Sequence, residues 1–387
     1  MPAMPRLYDI LMNLFGQQRK VWKDKRHLKT FLWMIVGLIE EMEVALPAWA
    51  PYVRSRATQS ASTVRRFSRW LRNPRIEPMA IWKGYVKAIL ACVGEGRLYL
   101  ALDTTLLWGK FCWIRIGLIY RGRALPLVWM VIPHPSTRVA FSVYEEVIRT
   151  AAEMIGPERE VVLLADRGFC DIALFELLRE LGWHWRIRIK NSFLVYKQGR
   201  GWRQVRRFTP APGTAVFWHH VYVGHKRFGP VHLAVGRPLH KQEFWYVLSD
   251  EPTDERTFAT YGLRTDLEEL IRDDKSGGYR VEESMIRDAA MLDRLMLVLA
   301  ATTWVLVNQG VAVVQEGKRR LVDPHWYRGI SYFRLGRRYL LRALALGLQV
   351  VRHWHLPLGP DPEPAIASRR QWQQSKRKQF TKFSYAY

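Results

Sequence analysis

Cysteine is almost missing from this 387-residue chain: Cys92, Cys112 and Cys170 lie far apart and form no CxxC pair. That excludes a disulfide framework and leaves no thiolate zinc site, so buried free thiols are expected. Acidic residues are scarce as well. Asp and Glu number 35 against 60 Lys and Arg, a formal charge of +25 with a pI near 10.2. Such a surplus repels itself unless a polyanion binds it, and nucleic acid is the first candidate. Long apolar runs are also wanting. The longest, Leu295 to Val307, falls short of the ~20 residues a bilayer requires and reads as a buried core helix, and no basic amphipathic helix points to a membrane surface. The first 15 residues include Arg6 and Asp9 and lack the unbroken apolar stretch of a secretory signal, so a cytoplasmic protein is expected. Apolar and aromatic residues, by contrast, are plentiful: 49% of the chain is hydrophobic, with 17 Trp, 16 Tyr and 16 Phe. Burial of that much apolar surface offsets the entropy of ordering and excludes a disordered chain.

From Val21 to Lys87 the pattern is helical, with apolar stripes cut by Pro47, Pro51, Pro74 and Pro78. Within them Ser62 is placed to cap a helix ending before Asn73 and Pro74, with Val64, Phe67 and Leu71 on one face and Arg65, Arg66, Arg69 and Arg72 over the rest. That helix reads either as a DNA contact or as a solvated basic face. After Gly94 and Gly96 the period changes. Arg97 to Thr105, Phe111 to Tyr120 and Ala124 to Ile132 are strand-like, and the turn at Arg121, Gly122 and Arg123 makes the last two a hairpin. A helix over 141–155, a buried strand over 161–165, a helix over 172–181 and a strand over 184–190 follow.

Hairpin strands followed by strands alternating with helices predict an α/β protein, a ribonuclease-H-like mixed sheet with helices on both faces. From 191 to 256 Gly, Pro and alternating aromatics replace the helical signal, which predicts an all-β insertion. Helices resume over 257–310. The expected division is an N-terminal helical domain at 1–95, the core at 96–190 and 257–310 around the insertion, and a C-terminal helical region and basic tail at 311–387. A proline-rich linker, Leu356 to Pro364, precedes that tail, where Arg369, Arg370, Lys376, Arg377 and Lys378 interleave with Trp372, Phe380, Phe383 and Tyr385. The tail reads equally as a grip on DNA or a second subunit, or as disordered.

Asp103 ends an apolar strand marked by Leu98, Leu100 and Leu102, and Asp166 directly follows the run Val161 to Ala165. A carboxylate at the end of a buried strand is costly unless it caps, binds metal or acts in catalysis; either aspartate alone reads as a turn residue. Tyr261, Arg264, Glu268 and Lys275 are spaced by three, four and seven, which sets them on one side of a helix. The stripe can bring a carboxylate to a metal and cations to phosphates. It can equally be a solvated face with an Arg264–Glu268 pair worth ~0.3 to 0.5 kcal/mol.

Taken together these residues resemble the bacterial insertion-sequence transposases of the DDE type. Tyr261, Arg264, Glu268 and Lys275 match their Tyr-x2-Arg-x3-Glu-x6-Lys signature without a gap. Asp166, Arg167, Gly168 and Phe169 are similar to the second acidic block, and Asp103 and Thr104 to the first. The resemblance implies a catalytic triad of Asp103, Asp166 and Glu268 holding two Mg2+ ions, with Mn2+ as a substitute. It implies cleavage at transposon ends and transfer of 3′ hydroxyl ends into target DNA, with double-stranded DNA as partner, a homodimer on it, and a nucleoid-associated enzyme that takes no small-molecule substrate. Tyr261, Arg264 and Lys275 would hold phosphates, with Arg167 beside Asp166.

Arg186, Arg188 and Lys190 alternate with apolar Trp185, Ile187 and Ile189, so one face of that strand is cationic and reads as a backbone contact or a charged sheet edge. The resemblance also implies an insertion-segment tryptophan that stacks on a displaced base, for which Trp202 and Trp218 are candidates, or else core residues. Of His219, His220 and His225 two have spacing compatible with a metal, but no Cys or fourth His completes the set locally, and strand or loop histidines account for them. Two other readings share these residues: a ribonuclease-H-like nuclease that never joins strands, and a domesticated DNA-binding protein, against which the intact triad argues.

Overall fold

The computed structural model describes residues 3–55, 57–239, 242–366 and 379–386. Its amino-terminal helices are α1 (Ala3–Phe15), α2 (Lys25–Glu41), α3 (Leu46–Trp49), α4 (Ser60–Arg72) and α5 (Pro78–Leu90). The Asp24 carboxylate caps α2 by accepting the Arg26 N–H, and residues Phe31 to Ile39 are buried all round, so α2 runs through the core. In α4 the N-cap is Gln59, without a side-chain bond. Ser62 therefore sits inside the first turn and is not the expected cap. The helix does end before Asn73 and Pro74, because the residue preceding a proline is driven out of the helical region. Arg65, Arg69 and Arg72 are exposed, whereas Arg66 is half-buried against the Phe67 ring with two guanidinium nitrogens unpartnered.

The sheet begins with β1 (Leu98–Leu107), β2 (Phe111–Tyr120) and β3 (Arg123–Pro133), all antiparallel. Arg121 and Gly122 both have positive φ, as a two-residue hairpin turn between twisted strands requires. Helix α6 (Phe141–Ile155) leads to β4 (Val161–Ala165), and α7 (Ile172–Glu180) to β5 (His184–Arg188). β4 lies parallel to β1, and β5 parallel to β4. The order β3-β2-β1-β4-β5 with this mixture of directions is ribonuclease-H-like.

The β-rich segment does not form a sheet of its own. Strands β6 (Leu194–Lys197), β7 (Gly201–Gln204), β8 (Thr214–Val223), β9 (Phe228–Arg237) and β10 (Trp245–Ser249) extend the core sheet, since β10 pairs with β5 and is followed by β9, β8, β6 and β7. After β10 the chain forms α8 (Thr257–Gly262) and α9 (Thr265–Arg272), a π turn, Asp273–Gly277, and then α10 (Ala289–Gln315) and α11 (Tyr332–Leu346). A final strand, β11 (Lys382–Ala386), lies parallel to β8 and completes eleven strands among the described residues.

Among the described residues one helix, α10, is long and apolar enough to cross a membrane, but its apolar stretch is wholly buried within the protein. Trp304 on it donates to the Pro126 carbonyl of β3 at 2.8 Å. Helices α10 and α11 cross with backbones touching: a Cβ at Gly336 would stand 1.8 Å from the Leu306 carbonyl oxygen. The amino-terminal helices, α10, α11 and one face of the sheet share a single apolar core from Leu7 to Leu356. The stretch 356–364, expected to be a free linker, is docked instead. Leu356 is buried, Pro357 accepts from the Tyr120 hydroxyl at 3.1 Å, and Asp361 takes Arg328 at 2.6 Å and Tyr332 at 2.5 Å. Arg369, Arg370, Trp372, Lys376, Arg377 and Lys378 lie outside the described residues.

Candidate active site

Strand register brings the two aspartates together. β1 and β4 pair with Leu102 opposite Ala165, so one step further Asp103 stands beside Asp166, on strands ~4.8 Å apart. Side chains alternate between faces, which puts Ala101 and Asp103 on one face and Leu164 and Asp166 on the same one. Ala101 and Leu164 pack against Leu267 and Leu270 of α9, so both carboxylates point to the α9 side. Gly117 of β2 lets that helix sit close, since a Cβ there would lie 2.9 Å from the Leu267 side chain. Glu268 is the next residue along.

The helix bearing the Tyr-x2-Arg-x3-Glu-x6-Lys residues is not continuous, contrary to expectation: α8 and α9 part at Leu263 and Arg264, and Lys275 falls in the π turn. Tertiary contacts nevertheless gather the four. The Arg264 guanidinium donates to Asp103 Oδ2 at 3.2 Å and to Glu268 Oε1. Lys275 Nζ donates to the Leu106 carbonyl at 2.9 Å and pairs with Glu282 at 2.8 Å. Tyr261 is buried among Phe217, Phe258 and Phe380, with its phenol pushed above its usual value by burial while Arg264 and Arg188 pull it down.

Burial pushes the Asp103 carboxyl up to about 6; Arg264 and the Thr104 N–H oppose this, and the charges of Asp166 and Glu268 reinforce it. Burial also works against the Arg264 charge, which Tyr261, Asp103 and Glu268 more than restore. Asp166 Oδ1 accepts the Gly168 N–H at 2.7 Å, which fixes its turn. Asp103 and Glu268 thus share one guanidinium, whose Nε has no partner. The residues fit a hard divalent cation: every donor is oxygen, the anionic form of Asp103 is disfavoured as it stands, and Arg264 spans only two of the three acids.

Other expected contacts are sorted by burial. In register Arg188 stands beside Asp166, bonded to Glu243 at 2.5 Å. Arg186 is buried and held by Glu251 and Ser249 Oγ, each at 2.7 Å, so it is not available to phosphate. The cause is β10, which covers the side of β5 and makes it a central strand instead of an edge. Lys190 and Arg167 are exposed. Trp218 is buried against Phe208 and is no stacking platform, whereas Trp202 is 37% exposed beside Tyr196. Among the histidines His219 meets His232, Nδ1 to Nδ1 at 3.0 Å, while His225 is exposed in the β8–β9 turn.

Glu160, His184 and Glu251 have ligand atoms within 4.8 Å of one another, but Arg97 already pairs with both glutamates and Arg186 with Glu251. Sequence reasoning missed Arg115 and Asp274, a pair buried next to Asp103. The signal was there: Arg115 is the lone charge in the apolar run of β2, and a buried charge demands a partner.

Asp103 lies within β1, where its pairing with β4 ends, and not at the strand end expected; Asp166 directly follows β4 and a third acid stands on the covering helix, an acidic site on a ribonuclease-H-like fold. Residues 109–305 match the family described as the transposase DDE domain, a span that includes Asp166 and Glu268 and starts just past Asp103. The chain belongs to that family of DNA-transposing enzymes. No curated protein matches its sequence. Among solved structures it is similar to a cryo-EM structure of the piggyBac transposase synaptic complex with hairpin DNA, at 13% identity and a TM-score of 0.45, over 90% of this chain and 80% of that one.

Proposed function

We propose that the chain cleaves phosphodiesters at transposon ends and transfers the new 3′ hydroxyl ends into target DNA, within the insertion-sequence group marked by Tyr-x2-Arg-x3-Glu-x6-Lys. One arrangement carries the reading: Asp103 and Asp166 in register on β1 and β4, with Arg264 joining Asp103 to Glu268. Asp103, Asp166 and Glu268 would hold two Mg2+ ions, for which Mn2+ would substitute. Bound there, the ions supply an activated oxygen nucleophile and neutralise charge on the leaving oxygen of an in-line displacement.

The protein's own part is positioning. Arg264, Lys275 and Arg188 would exchange their carboxylate partners for phosphates, and Tyr261 braces Arg264 from the insertion side. Arg167 and Lys190 lie exposed near the Asp166 end of the sheet, and Arg65 and Arg69 on α4 offer a second basic surface to duplex DNA. Trp202 offers its ring to a displaced base. Catalysis is assigned to 96–190 with 257–310, end recognition to 1–95 with the insertion 191–256, and a dimer on DNA follows from the need to hold two ends.

The test uses end-labelled DNA carrying the terminal repeats of the element. Asp103→Asn, Asp166→Asn and Glu268→Gln should each abolish Mg2+-dependent cleavage while DNA binding persists. Cleavage retained in any of the three overturns the assignment. Cleavage without joined product, when a labelled 3′ hydroxyl end is mixed with plasmid, would make the enzyme a nuclease.

A further inference from the structure

Arg115 lies directly opposite Asp103 in the antiparallel β1–β2 register, so both side chains occupy the same face. Its guanidinium stacks 3.8 Å from the Trp113 ring centroid and meets Asp274 Oδ2 at 2.6 Å, with both side chains only 2% exposed. Arg115 Nη1 and Asp274 Oδ1 have no other partner, so this contact is what balances the two charges. Asp274 belongs to the π turn and immediately precedes Lys275, whose ammonium reaches Leu106 of β1, three residues beyond Asp103. A π turn inside a helical stretch recurs at functional sites, and here it inserts an acid between the sheet and the helix end. The Asp103 charge acts on Arg115, so the two groups feel each other.

We propose that Arg115 and Asp274 are positioning residues for the reaction: Asp274 cancels the cation fixed beside Asp103, so the acid cluster keeps its affinity for divalent metal, and the same bond sets the turn that aims Lys275. The inference rests on the reading that Asp103, Asp166 and Glu268 bind metal. An unpaired guanidinium held next to Asp103 would repel a divalent ion at short range in a poorly solvated site, and no solvent rearrangement could remove it. Replacing both partners by uncharged groups leaves no buried charge, which a fold tolerates better than a single orphaned one.

Mn2+ affinity of the full-length protein, measured from the free-ion electron paramagnetic resonance signal, separates this role from a merely structural one. Asp274→Asn should weaken Mn2+ binding by about tenfold. The double variant Arg115→Met with Asp274→Asn should return to within about threefold of the unmodified protein, because the repelling charge has gone. Its cleavage of end DNA should stay low, because the turn bearing Lys275 is no longer tied. A structural role alone predicts the double variant to be at least as weak as the single one. That result, or unchanged binding in Asp274→Asn, overturns the proposal. Should Asp274→Asn fail to fold, the double variant decides by itself, since wild-type cleavage in it refutes the positioning role. An Asp103→Asn control that leaves Mn2+ binding unaltered would instead sink the metal reading, and the pair's role with it.

Discussion

Leu267 is the anchor that sets Glu268 over the aspartates, and shortening it should cost both stability and rate. The side chain is fully buried in a thin cluster with Ala101, Ala124, Val162, Leu164 and Leu270, separate from the main core. Deleting three carbons from such a site costs ~2 to 5 kcal/mol, depending on how far the surroundings collapse. Here the strands are held by their ladders, but α9 is only eight residues long and can sink towards Gly117. Partial collapse favours the lower part of the range, ~3 kcal/mol, or a fall in melting temperature of about 5 °C. The same collapse moves Glu268, and a displacement of ~1 Å at a reacting centre costs on the order of 100-fold in rate. Leu267→Ala and Leu267→Met should be compared by thermal melting and by single-turnover cleavage of end DNA; methionine conserves volume and should cost less than ~1.5 kcal/mol. An alanine variant that melts and cuts like the unmodified protein would refute the idea that this contact places the third acid.

Gly336→Ala puts a methyl group against the Leu306 carbonyl and must spread α10 from α11; calorimetry should find a loss of ~1 to 3 kcal/mol or more. His232 is held down to about 4 by burial, with His219 and His220 adding to the effect. Because its folded value lies below the ordinary 6.5, the unfolded chain binds a proton first as pH falls, so stability present above pH 6.5 is lost progressively towards pH 4. His232→Phe should flatten that part of the stability profile, and an unchanged slope would remove His232 as its source. End-DNA affinity should fall with salt at a log–log slope of about −6 if Arg65, Arg69, Arg167, Arg188, Lys190, Arg264 and Lys275 each meet a phosphate. A slope near zero in a filter-binding titration would show that these cations stay away from the backbone.

Local periodicity made much of this fold legible. Phe141 to Ile155 and Val161 to Ala165 are helix and strand over the residues their patterns predict, and the Arg121–Gly122 turn closes the expected hairpin. Asp103 and Asp166 stood out because each terminates an apolar run. What could not be read was set by partners distant in sequence. Nothing near Arg186 announces Glu251, which arrives only because β10 pairs with β5, so a strand that looked like a cationic surface lies in mid-sheet. Trp218 and Trp202 share a residue type and a segment, yet one faces Phe208 inside and the other lies on the outermost strand. The Ser62 cap failed for a smaller reason: the helix starts earlier, at Ser60, where no side chain bonds the first turn.

Exposure of the acidic partner separates the cations that can bind DNA from those that hold the fold. Arg264, Arg188 and Lys275 pair with Glu268, Glu243 and Glu282, whose side chains are 50%, 54% and 38% exposed. An exposed carboxylate contributes little to such a pair, so a phosphate arriving with its counterions can replace it at small net cost. Arg115 has no such freedom: removing its buried partner leaves a desolvated charge, a penalty of ~3 to 5 kcal/mol. Arg186 is nearly as constrained. The +25 surplus is therefore not a uniform attraction for DNA. Around the acid cluster it is a set of exchangeable ion pairs resting on fixed ones, and the fixed ones determine where the exchangeable ones point.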